Sequence, residues 1–223
     1  MQGSLSQQFL DFVGAGGFPC VGAKAALGKD AIEVHQFAPF GERGNDAPLH
    51  DRLRAFATKV AATGQEGRVM HSFVALFDGP HDTGEQRFEG LLWAQLQRLH
   101  ALDLRRGIPW AEDVSRDPDD PRFSMSVAGH PFFVIGLHPG ASRVARRFAV
   151  PALVFNPHRQ FERLRADGRY GKMQAATRGR DVALQGSINP NLADFGAASE
   201  ARQYSGRAVE PGWKCPLKVG RTG

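Results

Sequence analysis

The chain predicts an α+β fold: a mixed, mainly antiparallel sheet covered by helices, in one domain spanning residues 1–223. Three observations lead there. Short apolar runs alternate with longer segments of helical periodicity. Two of the runs, Phe123–Val127 and Phe132–Leu137, are close enough in sequence to pair as a hairpin. A length of 223 residues, with 42% hydrophobic and 23% charged residues, supports one large core and indicates neither disorder nor a fibrous repeat.

Ile32–Phe37 reads as a strand near the N-terminus. Leu49–Val60 places Leu49, Leu53, Phe56 and Val60 at helical spacing with Arg52, Arg54 and Lys59 between them, the pattern of an amphipathic helix. Val69–Phe77 is a buried strand closed by Asp78-Gly79-Pro80. From about Glu85 to Leu104, Phe88, Leu92, Leu96 and Leu99 form one helical stripe that Gly107-Ile108-Pro109 ends. The hairpin strands are joined across Ala128-Gly129-His130-Pro131, and a helix is expected to begin near Ala141. Pro151–Phe155 is a further strand, after which Asn156 is placed to cap, and Pro157 to open, a helix carrying Phe161 and Leu164. More helices and a long C-terminal loop follow. A layered α/β fold is the alternative arrangement.

Several function classes are disfavoured. The longest apolar runs are far short of the ~20 residues a membrane span needs. The start, Met1-Gln2-Gly3-Ser4, lacks the basic and apolar regions of a signal peptide, so a cytoplasmic location is expected. The two cysteines, Cys20 and Cys215, are then free thiols. The net charge of +5, from 28 basic and 23 acidic residues, suits weak attraction to polyanions or a pocket for an acidic ligand. The densest basic cluster, Arg143, Arg146 and Arg147, has no aromatic platform beside it, and no nucleic-acid partner is expected. There is no glycine-rich nucleotide loop, nucleophile elbow, paired-cysteine motif or His-Glu-x-x-His spacing.

Three segments are dense in functional groups. In the first, His130 and His138 bracket a strand at even spacing, roughly 26 Å apart if it is straight, too far to share a metal. His138 sits at the strand end before the expected helix, where Arg143 and a helix N-terminus would suit a carboxylate or phosphate. It equally suits a turn histidine bonded to backbone. The second segment is the pair Phe18-Pro19-Cys20 and Trp213-Lys214-Cys215-Pro216, whose thiols could ligate heme iron or simply be small buried side chains. The third runs from Leu184 to Arg207 and holds Asp194, Glu200, Arg202 and Tyr204 in a glycine-punctuated loop. Such a loop can line a polar pocket or pack its own polar groups.

At these residues the chain resembles the YqcI/YcgG family. The matching stretches are Phe18-Pro19-Cys20, His130–Arg143, Phe155-Asn156-Pro157-His158 with Phe161-Glu162, and Gln185–Cys215; Leu217 stands where the family suggests Phe. The resemblance implies a heme b-dependent oxygenase that N-hydroxylates a guanidino group of an arginine-like amino acid, using an electron donor or peroxide. A non-catalytic heme-binding or sensing protein, or a cofactor-free small-molecule binder, are the other readings. For the axial ligand of such a heme, His138 comes first because a strand end places it rigidly, with His130 and His158 next and the Cys20 thiolate as the alternative, and arginines such as Arg143 would meet the propionates. The guanidinium would meet Asp194 or Glu200 and the substrate carboxylate Arg202 or Arg143, with Tyr204 beside them. Heme would be noncovalent, since no Cys-x-x-Cys-His motif is present. A homodimer is compatible with this reading.

Overall fold

Along Ser72–Phe77, Phe73, Ala75 and Phe77 alternate with Val74 and Leu76, and all are buried. A strand apolar on both faces has to lie inside a sheet covered on both sides. The computed structural model, which describes residues 3–64, 68–191 and 198–220, puts it there. Five strands, β1 (Ile32–Phe37), β2 (Ser72–Phe77), β3 (Met125–Val127), β4 (His130–Leu137) and β5 (Ala152–Pro157), form one open sheet in the order β1-β2-β5-β4-β3. β1 and β2 are parallel and the other three pairings are antiparallel. This is the mixed, mainly antiparallel α+β sheet expected from the sequence.

Six α-helices are described: α1 (Leu5–Gly14), α2 (Val21–Leu27), α3 (Asp46–Ala62), α4 (Glu85–Arg105), α5 (His158–Ala166) and α6 (Tyr170–Gln185). α3 supplies the crossover that the parallel β1–β2 pair requires. The apolar stripes of α3 and α4 pack with Phe73, Phe77, Phe132, Val134 and Phe155 on one face of the sheet. On the other face Phe9 and Val13 of α1 meet Val74, Leu76, Leu137 and Ala152. No helix among the described residues is long and apolar enough to cross a membrane.

Several local expectations change. The hairpin turn is only Ala128-Gly129, at φ 54° and 74°, because two left-handed residues match the twist of paired strands; His130 and Pro131 already belong to β4. Asp103 fixes that turn by accepting the Ala128 N–H at 3.0 Å on each carboxylate oxygen. No α-helix starts near Ala141; the chain turns through a single 3-10 segment, Val144–Arg146, into β5. Asn156 does not cap α5. It is buried, accepting from Ser72 Oγ at 2.7 Å and donating to the Phe133 carbonyl at 3.3 Å.

α4 lies close on β4 because residue 136 has no side chain. A Cβ there would stand 2.5 Å from Phe88 Cε1 and 3.0 Å from Leu92 Cδ1. Gly136→Ala therefore overpacks a contact with no slack and should cost about 1–3 kcal/mol, read as a lower urea midpoint at unchanged slope. An unchanged midpoint would mean that α4 moves off the sheet freely.

Candidate functional site

Whereas α3 and α4 fill one face of the sheet, the other face is only partly filled. A cavity of about 300 Å³ lies there, between the sheet, the chain around Cys20 and α6. Alternation along the strands sends Val74, Ile135, Leu137 and Val154 into it, and Phe9 and Phe18 add aromatic wall. Its polar lining includes Cys20, Arg146, Asp181 and Glu200, brought from four distant parts of the chain.

Cys20 is the N-cap residue of α2, and its Sγ accepts the Ala23 N–H at 3.4 Å. Burial pushes the thiol up from its ordinary value; the Ala23 and Gly22 N–H groups and the Arg146 charge pull the other way without overcoming it. Beside it a Cβ at Gly22 would sit 4.0 Å from Sγ and 3.5 Å from Met70 Cε, so the missing side chain leaves the space next to the sulfur clear. Helices Leu5–Gly14 and Val21–Leu27 flank Cys20, which lies at the end of the short non-helical link between them.

Glu200 starts a 3-10 turn, Glu200–Gln203, and Tyr204 closes it. The Tyr204 hydroxyl donates to Glu200 Oε1 at 2.5 Å and accepts from the Met125 N–H at 3.1 Å. Burial, then the Glu200 charge, push the phenol well above its usual range, so Tyr204 serves as a neutral donor that orients the carboxylate. His158, at the start of α5, stands with Nδ1 3.5 Å from Glu200 Oε2 and Nε2 3.1 Å from Glu162 Oε1. Burial works against its cation, but the two carboxylates outweigh it and the net shift is upward.

The remaining expected residues separate. His138 is 1% exposed on the α4 side: its ring stacks on Phe88 at 4.3 Å and Nδ1 lies 3.0 Å from the Thr83 carbonyl. Burial, partly offset by that carbonyl, lowers its affinity for a proton. His130 opens β4 next to the turn, away from the cavity. Arg143 is buried against Asp181 and donates to the Ser187 carbonyl at 2.9 Å. Arg202 ties down the C-terminal loop through the Glu210 and Trp213 carbonyls at 2.8 and 3.3 Å. Asp194 lies outside the described residues. Of the candidates, then, Cys20 and Glu200 line the cavity, and Tyr204 and His158 contact Glu200 from behind without lining it.

Arg146 and Asp181 were not singled out from sequence. Arg146 was one member of a basic cluster, and α6, which carries Asp181, lacks a strong apolar stripe. The lining fits a heme-type group in its donor set, with one thiol beside open space, the arginines Arg146, Arg165 and Arg178, and apolar walls. Among the described lining residues there is no histidine.

The raised His158 has a pH consequence. A group whose folded affinity for a proton exceeds its unfolded one contributes stability that is full below the unfolded value of about 6.5 and is lost as pH rises through the folded value. Wild-type protein should therefore lose more unfolding free energy between about pH 6 and pH 8 than His158→Gln does. Parallel urea titrations at the two pH values check this; equal losses would mean that folding does not raise the affinity of His158 for a proton.

The chain is 29% identical over 210 residues to "Uncharacterized protein YcgG" of Bacillus subtilis (strain 168), covering 90% of this chain and 80% of that protein. It is 27% identical over 201 residues to "Putative N(omega)-hydroxy-L-arginine synthase DcsA" of Streptomyces lavendulae, covering 84% of this chain and 72% of that one. No solved structure matches significantly. The YqcI/YcgG family model matches residues 9–218, a span that holds Cys20, Arg146, His158, Glu200 and Tyr204 together, and the chain belongs to the YqcI/YcgG family.

Proposed function

We propose that the protein N-hydroxylates a guanidino group of an arginine-like amino acid, with heme b bound in the cavity through Cys20. The observation that carries this is the meeting of Cys20 and Glu200 in one apolar-walled chamber of about 300 Å³. The name of the Streptomyces lavendulae relative, an arginine N-hydroxylating synthase, supports the substrate class.

Cys20 and the arginines of the lining would hold heme there, and the group would supply activation of dioxygen or peroxide. Cys20 would hold the iron as the thiolate, its proton lost to solvent, since only the thiolate is a ligand. It takes precedence over His138 because His138 is packed on Phe88 across the sheet. Glu200 is the partner for the guanidinium: a carboxylate with four acceptor positions keeps room for a charged fork beside the Tyr204 hydroxyl. Tyr204 and His158 hold its orientation, and the phenylalanine and aliphatic walls keep water from the reacting nitrogen. Overall one N–H becomes N–OH. With dioxygen, an external donor supplies two electrons and two protons and the second oxygen leaves as water; peroxide needs no added electrons.

Protein reconstituted with hemin should show a Soret band and, when reduced under carbon monoxide, the red-shifted band of a thiolate complex. That band should vanish in Cys20→Ala and persist in His138→Ala. L-arginine with a reductant or peroxide should yield a product heavier by one oxygen, and Glu200→Gln should lower kcat/KM about 10–100-fold. A protein that takes up no hemin would refute the cofactor. A hemin-loaded protein that turns over only molecules without a guanidino group would refute the substrate alone.

A further inference from the structure

We infer that Arg146 is a carboxylate-binding residue of the cavity, taking an organic carboxylate on the Nε–Nη2 edge of its guanidinium. The inference rests on the cavity being the ligand site, as in the reading above, and not on which ligand occupies it.

Arg146 lines the cavity, yet among the described residues its hydrogen bonds are all to main-chain carbonyls. Nη1 donates to Gly136 O at 3.0 Å and Tyr204 O at 3.4 Å, and Nη2 donates to Gln203 O at 3.1 Å. A guanidinium has five N–H donors, so two remain, one on Nε and one on Nη2. Nε and Nη2 together form the edge of a guanidinium that matches a carboxylate. Elsewhere in this chain the same edge does bind one: Arg159 grips Asp113 through Nε at 2.6 Å and Nη2 at 3.1 Å.

The cavity's own carboxylates are engaged with other groups. Asp181 holds Arg143, and Glu200 is held by Tyr204 and His158. Among the described residues Arg146 therefore has no carboxylate at ion-pair distance, while its position is fixed by three carbonyls. A charge placed so rigidly and left without a counter-ion is a preorganised anion subsite, because the cost of orienting it has been met in folding. In keeping with this, burial lowers the Arg146 pKa to about 10, with Cys20 and Asp181 opposing that shift and Arg143 adding to it.

A carboxylate at this place can come from a porphyrin propionate or from the α-carboxylate of a free amino acid. Three ligand pairs, each a carboxylate and its uncharged counterpart, separate the sources: hemin and its dimethyl ester, L-arginine and L-argininamide, and 4-phenylbutyrate and its amide. Titrated into the purified protein, at least one carboxylate should bind about tenfold or more tightly than its counterpart, and Arg146→Met should erase the difference. Discrimination in the hemin pair assigns the propionate, in the arginine pair the amino acid, and in the third pair alone a different carboxylate, which upholds the subsite while refuting the proposed substrate. The inference is overturned if no pair discriminates, or if Arg146→Met discriminates as wild type does. Arg146 also ties the Gln203–Tyr204 loop to β4, so folding of the variants is checked by circular dichroism. Should Arg146→Met not fold, Arg146→Lys decides: it keeps the charge without the fork, and unchanged discrimination there overturns the bidentate edge.

Discussion

The free edge of β4 is the constraint on which both fold and cavity depend. β3 spans three residues and pairs only with His130–Phe132, so the rest of β4 has no strand on that side. Unpaired backbone groups next to a core are costly, and something has to answer them. The Gln203–Tyr204 segment does: Tyr204 O accepts the Gly136 N–H at 2.7 Å, and Arg146 bridges Gly136 O to Gln203 O and Tyr204 O. The Tyr204 hydroxyl then reaches Met125 N–H at the far end of the same edge. A loop without strand geometry completes the sheet, using one guanidinium and one phenol in place of a ladder.

That solution puts the polar lining where it is. The turn that presents Tyr204 to the sheet also carries Glu200, four residues earlier, so closing the edge and placing a carboxylate at the cavity are one event. Arg146 is similarly shared, with carbonyls on one side and the cavity on the other. Fold stability and site geometry are coupled here, so a substitution at Tyr204 or Arg146 changes both. The opposite face has no such tension. α4 and β4 meet there through Gly136, Phe88 and Leu92 at full packing density, and His138 is spent filling that layer.

Most of the fold was legible because its elements carry strong periodic signals. The stripe Phe88, Leu92, Leu96, Leu99 and the two-faced run at Phe73–Phe77 admit one interpretation each, and the structure agrees with both. Less of the site could be read. His138 follows directly on a strand, and period-two alternation sends it to one face or the other; sequence could not say which face holds a cavity. Arg146 and Arg143 look alike as sequence, but one is bound to Asp181 and the other only to carbonyls, a distinction made by α6 and the Tyr204 loop more than 30 residues away. Asn156 before Pro157 is a strong capping signal, and it lost to the buried demand of Ser72 Oγ, 84 residues distant. In each case the deciding partner is remote in the chain, where local pattern carries no information.

The electrostatics of the cavity bear on how the proposed ligands would share it. Burial raises the Cys20 thiol and lowers Arg146, so each resists its charged form; Cys20 is foremost in opposing the shift of Arg146, while Arg146 supports the thiolate after the Ala23 and Gly22 N–H groups. One guanidinium cannot neutralise both a thiolate and an arriving carboxylate, because whichever it faces leaves the other anion uncompensated in an apolar chamber. On the proposed reading a metal cation on the sulfur would remove that conflict: the thiolate's charge would be met by the metal, and Arg146 would be left to the carboxylate. On the proposed reading, occupation of Cys20 and of Arg146 would therefore favour one another, since each ligand supplies the charge the other's site lacks.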